Sequence, residues 1–165
     1  MIRRRIRRMF FLAAAVWLMT AVMSAAAEGT RPVQLPGSRY AIDVPENMVY
    51  EAPGEGNGDL AFVWVLPGAD AKTARMEIDF FSYASVQNDL GQTAEKMAEA
   101  GIPIELRSVN GTEMLCTESA DETDGAPCIS YALTDGERMI EIVFWYSDQE
   151  TADLSRTIIE TLRIL

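Results

Sequence analysis

Hydrophobic and polar positions alternate with a period of two over most of the chain and shift to helical spacing in two places. Tyr40, Ile42 and Val44 alternate with polar or small residues up to Pro45, which predicts a strand over 39–45. Met48–Glu51 reads as a short strand and Ala52–Gly58 as a turn. Leu60–Leu66 is a continuous apolar run closed by Pro67-Gly68, the pattern of a strand covered on both faces. In Arg75–Tyr83, Met76, Ile78 and Phe80 share one face, and Glu77, Asp79 and Phe81 share the other.

The first change of period comes at 89–100. Asp89 is placed to cap a helix there, Leu90, Ala94, Met97 and Ala98 form its apolar stripe, and Gly101 with Pro103 ends it. Strands follow at 104–109 and 112–118 around Asn110-Gly111, then at 128–134 and 138–146 around Asp135-Gly136. A two-residue turn at the second pair sets Leu133 against Arg138, Tyr131 against Ile140 and Ile129 against Ile142. One face then holds Ile129, Tyr131, Ile140, Ile142 and Phe144. The other holds Cys128, Ser130, Met139, Glu141, Val143 and Trp145. Ser147-Asp148-Gln149-Glu150 has the spacing of a capping box, and Leu154, Ile158, Leu162 and Leu165 recur helically, which predicts a closing helix over 148–162. Strands in runs, flanked by two helices, predict an α+β fold with an antiparallel sheet.

Ahead of this pattern stands a segment of different character. Arg3, Arg4, Arg5, Arg7 and Arg8 precede an apolar run from Phe10 to Val22, which ends in Ser24-Ala25-Ala26-Ala27. This is the order of a secretory signal peptide over residues 1–27, with an uncleaved membrane anchor as the alternative. Arg7-Arg8 also resembles a twin-arginine motif, so the export route stays open. Residues 28–38 read as a linker and 39–165 as one domain. Five of the 14 basic residues and none of the 25 acidic ones lie within the first 27 positions. The remainder therefore carries nine bases against 25 acids, a formal charge of −16. Such a surface disfavours nucleic acid and anionic membranes and suits a cationic protein face or simple solubility.

Two cysteines in an exported chain predict a disulfide between Cys116 and Cys128. Their midpoint is residue 122, the centre of the acidic loop, so an antiparallel pair centred there places them opposite one another.

The chain has no histidine, which removes Ser-His and Cys-His nucleophilic pairs and the common zinc ligand sets. Lys72 and Lys96 do not stand in a Ser-x-x-Lys motif. Glu77 and Asp79, two apart on one strand face, have the spacing of an acid–base pair or of oxygen ligands, and equally that of a solvated face. Glu141 sits inside the apolar strand Met139–Trp145 with Ser130 opposite as a donor, and is assigned to a rim position. The loop Glu118–Asp124 gathers Glu118, Asp121, Glu122 and Asp124, oxygens that suit calcium, but it does not fit an EF-hand and equally reads as an acidic tip. Asn110-Gly111-Thr112 is both a glycosylation sequon and a turn. Trp64, Trp145 and Tyr146 are read as packing residues. No catalytic set, metal site or cofactor is assigned.

Several of these segments resemble the PsbP-like family, which includes the extrinsic photosystem II subunit, a Ran-binding import factor and small exported bacterial proteins. The resemblance rests on Tyr40-Ala41-Ile42-Asp43-Val44-Pro45, Gly111 before a strand, the hairpin Tyr131–Tyr146, and Ile158-Ile159-Glu160-Thr161-Leu162, and covers about 38–165. It implies an antiparallel sheet with helices on both faces and a binding or assembly role, with no catalytic residues to carry over. The sequence therefore predicts a secreted, non-catalytic domain, periplasmic or extracellular, that meets a protein partner through Asp121, Glu122, Asp124 and Glu141. The alternatives are a carboxylate-dependent hydrolase and a calcium-binding module.

Overall fold

In a computed structural model, the residues described are 29–53, 59–69, 73–84, 90–120 and 125–165. The proposed signal peptide, Asp89, Asp121, Glu122 and Asp124 lie outside them. Ten strands and two helices follow in the order β1 (Thr30–Gln34), β2 (Tyr40–Pro45), β3 (Val49–Glu51), β4 (Leu60–Pro67), β5 (Ala74–Ala84), α1 (Leu90–Glu99), β6 (Glu105–Val109), β7 (Thr112–Ala120), β8 (Pro127–Thr134), β9 (Arg138–Tyr146), α2 (Gln149–Ile159) and β10 (Arg163–Ile164). Seven strands form one antiparallel sheet in the order β3-β4-β5-β9-β8-β7-β6, and β1-β2-β10 form a second. Residues Arg31–Leu165 make one compact unit.

Alternation in the strands decides which face is buried. Met76, Ile78 and Phe80 of β5, Ile140, Ile142 and Phe144 of β9, and Ile129, Tyr131 and Leu133 of β8 are almost fully inaccessible. They face Leu35, Ile42, Val44 and Met48 from the N-terminal segments and Ile158, Ile159 and Leu162 from the C-terminal ones in one core. Tyr131 meets Phe144 edge to face at 5.8 Å. The small sheet closes this core: Asp43 N–H donates to Thr161 Oγ1 at 2.7 Å, and Arg163 pairs with Asp43 at 2.7 Å. α1 lies along β6 and β7. Its connector crosses the second face, where Thr117 Oγ1 donates to the Pro103 carbonyl at 2.8 Å. Of its expected stripe Leu90 is buried, Ala94 and Met97 are half-buried and Ala98 is exposed. Gly101 ends α1 at φ +77°, a conformation open to glycine, with its N–H on Ala98 O and that of Ile102 on Met97 O.

Five local expectations change. The cysteines are free: Cys116 stands opposite Tyr131, and Cys128 opposite Ser119. The β7–β8 register lies three residues from the one that would pair them, and an odd offset sends the two side chains to opposite faces, where no disulfide can form. The β8–β9 hairpin pairs Leu133 with Ile140, Tyr131 with Ile142 and Ile129 with Phe144, two residues from the two-residue-turn register. Asp135 Oδ1 accepts from both Glu137 N–H and Arg138 N–H, which holds a longer loop. The N-cap of α2 is Asp148, not Ser147, in a box completed by Thr151. The helix ends at Ile159, and Arg163–Ile164 pair with Tyr40–Ala41, which leaves Leu165 exposed. Part of the segment read as a linker is strand β1, and Val33 and Leu35 are in the core.

Candidate functional site

The period-two geometry of β5 brings Glu77, Asp79, Phe81 and Tyr83 to the second face of the large sheet. Across β9 they oppose Trp145, Val143, Glu141 and Met139, and across β4, Glu77 and Asp79 oppose Val65 and Val63. Val63 in turn opposes Glu51 on the edge strand β3. Four carboxylates from three strands thus share one face with half-buried Val65, Phe81 and Trp145.

Two of these carboxylates form a coupled pair. Trp145 Nε1–H donates to Asp79 Oδ2 at 2.9 Å, and a side-chain hydrogen bond links Asp79 to Glu77. Burial, then the charge of Asp79 and the hydrogen bond to it, then the charge of Glu51 push the Glu77 carboxyl up to about 7. Asp79 is raised as well, by burial, against the opposing pull of the Trp145 hydrogen bond. Two neighbouring carboxylates that are half withdrawn from water retain a proton that either alone would release.

Glu141 is not at a rim. It lies on β9, the central strand, and is half-buried. Ser130 Oγ donates to its Oε1 at 2.5 Å, and Tyr83 O–H donates to its Oε2 at 2.9 Å. Burial and the adjacent carboxylate raise the Tyr83 phenol above its ordinary range. Phe81 stacks on Tyr83 with centroids 6.2 Å apart and planes 6° from parallel. Ser130 reaches Glu141 diagonally, since Ala132 is its direct cross-strand neighbour. Glu51 and Trp145 went unrecognised as members of the site because they come from other strands than Glu77 and Asp79 and no local spacing joins them; Tyr83 shares the strand face of that pair, but its bond to Glu141 exists only through strand pairing.

The other candidates fall elsewhere. Glu118 is exposed and pairs with Arg156 of α2 at 2.9 Å. Among the described residues, no group of three or more histidine, cysteine, aspartate or glutamate side chains is placed to hold a metal ion.

The sequence matches no protein-family model and no curated protein. Solved structures do resemble it. CyanoP, the cyanobacterial PsbP of Synechocystis sp. PCC 6803, superposes with a TM-score of 0.57 over 84% of this chain and 94% of that one, at 10% identity. The fold is PsbP-like. A protein from Bacteroides thetaiotaomicron aligns with a TM-score of 0.57 at 14% identity, over 84% of this chain and 49% of that one. The Saccharomyces cerevisiae Ran-binding protein Mog1p aligns with a TM-score of 0.43 at 13% identity, over 84% and 96% of the two chains. At these identities the likeness concerns the fold. Within this PsbP-like sheet, the acidic face is a property of the present chain's own residues.

Proposed function

We propose that the chain is an exported, non-catalytic binding or assembly domain that meets a protein of the envelope or extracellular space through the acidic face of its sheet. The observation that carries this reading is that face itself: Glu51, Glu77, Asp79 and Glu141 interleaved with half-buried Val65, Phe81 and Trp145, with Asp79 held by Trp145 and Glu141 by Tyr83 and Ser130. Apolar groups among these carboxylates, which stay net negative although Glu77 and Asp79 retain a proton between them, match a partner that presents apolar side chains ringed by lysine or arginine. Asp121, Glu122 and Asp124 add charge within the same chain. Export rests on the tripartite segment 1–27.

The test is capture from the native envelope and secreted fractions with the parent chain and with Glu51→Lys, a reversal at an exposed position. A partner captured by the parent, lost with Glu51→Lys and weakened between about 0.05 and 0.5 M salt supports the proposal. Capture indifferent to both would overturn it. Reversal at Asp121, Glu122 and Asp124 reports whether the loop takes part.

One observation favours a second reading. A carboxyl raised to about 7 beside a second carboxylate is suited to general acid–base work at neutral pH. Turnover in a panel of hydrolase substrates, abolished by Glu77→Gln with the fold intact, would establish that reading over the first.

A further inference from the structure

The opposite edge of the sheet carries two arginines among its acids. A cleft of about 310 Å³ lies between β6 and α2, lined by Arg107, Ser108, Val109, Asn110, Arg156, Ile159 and Glu160. Arg156 is held in place by Glu118 at 2.9 Å and Asp153 at 3.2 Å. Arg107 is half-buried and makes no ion pair among the described residues. The Asn110 side-chain amide donates to the carbonyls of Glu160 and Leu162 at 2.8 and 2.9 Å, which ties the β6–β7 turn to the end of α2 and fixes the cleft's width. Fully buried Tyr131 lies close enough to feel both arginines, and its hydroxyl interacts with the Cys116 thiol.

The backbone beside this cleft is equally unfilled. β6 is the last strand of the sheet. Its two-residue turn, Asn110 at φ 49° and Gly111 at φ 82°, makes Val109–Thr112 a hydrogen-bonded pair, and alternation then makes Arg107–Met114 and Glu105–Cys116 the next two. The N–H and C=O groups of Leu106 and Ser108 therefore point outward. Neither residue enters any backbone hydrogen bond outside the sheet. Leu106 is 48% exposed, and Ile102 nearby is 42% exposed.

We infer that the outer edge of β6 accepts an extended segment of a partner protein as an eighth strand, with an acidic side chain of that segment entering the cleft between Arg107 and Arg156. The main-chain groups of Leu106 and Ser108 supply the ladder, and a carboxylate reaching past the edge meets Arg107 as its counter-charge. In a chain of this acidity, Arg107, which has no ion pair of its own among the described residues, selects for a local acidic residue, while the long-range field selects against an acidic partner surface. One acidic side chain in an otherwise neutral or basic strand satisfies both. This goes beyond the acidic-face reading and is independent of it, since the two surfaces lie at opposite ends of the sheet.

The test is a titration of the ¹⁵N-labelled full chain, followed by NMR, with a capped pentapeptide of alternating threonine and valine around a central glutamate. The expected result is saturable shifts at the amides of Leu106 and Ser108 and binding about tenfold weaker when the central residue is glutamine or when Arg107→Gln is introduced. Ser108→Pro, which removes an outward N–H from an edge position that tolerates proline, should abolish binding and leave the fold's spectrum intact. The inference is overturned by any of three results: no saturable binding, equal affinity for the glutamate and glutamine peptides, or competition by inorganic phosphate with Ser108→Pro without effect. The last would leave an anion site without strand addition.

Discussion

At the scale of single residues, Glu77 makes the chain's stability depend on pH in an unusual direction. Its carboxyl is raised from the ordinary range to about 7 in the folded state, so the folded chain holds a proton that the unfolded chain releases near 4.5. The associated stability is present in full below about 4.5 and is lost as pH rises through about 7. Glu77 is half-exposed, so solvent screening reduces the effect to about 1 kcal/mol. Denaturant unfolding should show the parent losing that amount between pH 5 and pH 8 relative to Glu77→Gln; parallel profiles for the two proteins would contradict the coupling. Both oxygens of Glu141 have donors. Tyr83→Phe and Ser130→Ala should each cost about 1–2 kcal/mol, with the double variant departing from additivity, since both bonds end on one carboxylate. Strict additivity in a double-mutant cycle would show that the two donors act separately.

At the scale of elements, α2 is the member whose removal from the core is most damaging. Ile158 is 2% exposed and packs with Ile159 and Leu162 under the sheet. Ile158→Asp should destabilise by about 4 kcal/mol or more, by placing an unpaired charge in an apolar interface, and a melting temperature equal to the parent's would show that face to be wrongly assigned. The start of the same helix gives a sharper comparison. Asp148→Ala should cost about 1 kcal/mol, because Asp148 accepts from Thr151 N–H at 2.9 Å, whereas Ser147→Ala should be near neutral. Most strands were legible because burial follows their period of two. The two faces of the β8–β9 hairpin were legible even though its register was not, since a slip of two residues preserves parity. The cysteine pair was lost because its slip of three does not. Turn chemistry decides such offsets, here through the Asp135 carboxylate, which organises two amides at once. The helix cap was misread because Ser147 and Asp148 are both good caps and only the geometry of the preceding strand chooses between them. For the candidate site, the spacing of Glu77 and Asp79 was visible in β5, but Glu51 and Trp145 reach them only through strand pairing.

At the scale of the whole molecule, the free cysteines change what export would mean for the chain. Thiol titration of the denatured, unreduced protein should find two reactive groups, as Cys116 and Cys128 lie on opposite faces of the sheet; none would require a different β7–β8 register. Burial also raises the Cys116 thiol, which keeps it protonated and slow to oxidise in the native state. Stability must then come from packing, and the packing depends on a contact between distant parts of the sequence: Tyr40 and Ala41 pair with Ile164 and Arg163. β1 lies close by in sequence, but β2 gains its second neighbour only when β10 is in place, and such long-range closure is slow compared with local hairpins. A strand held in place from so far along the chain is the last piece of the fold to close and the first that a partly opened molecule gives up.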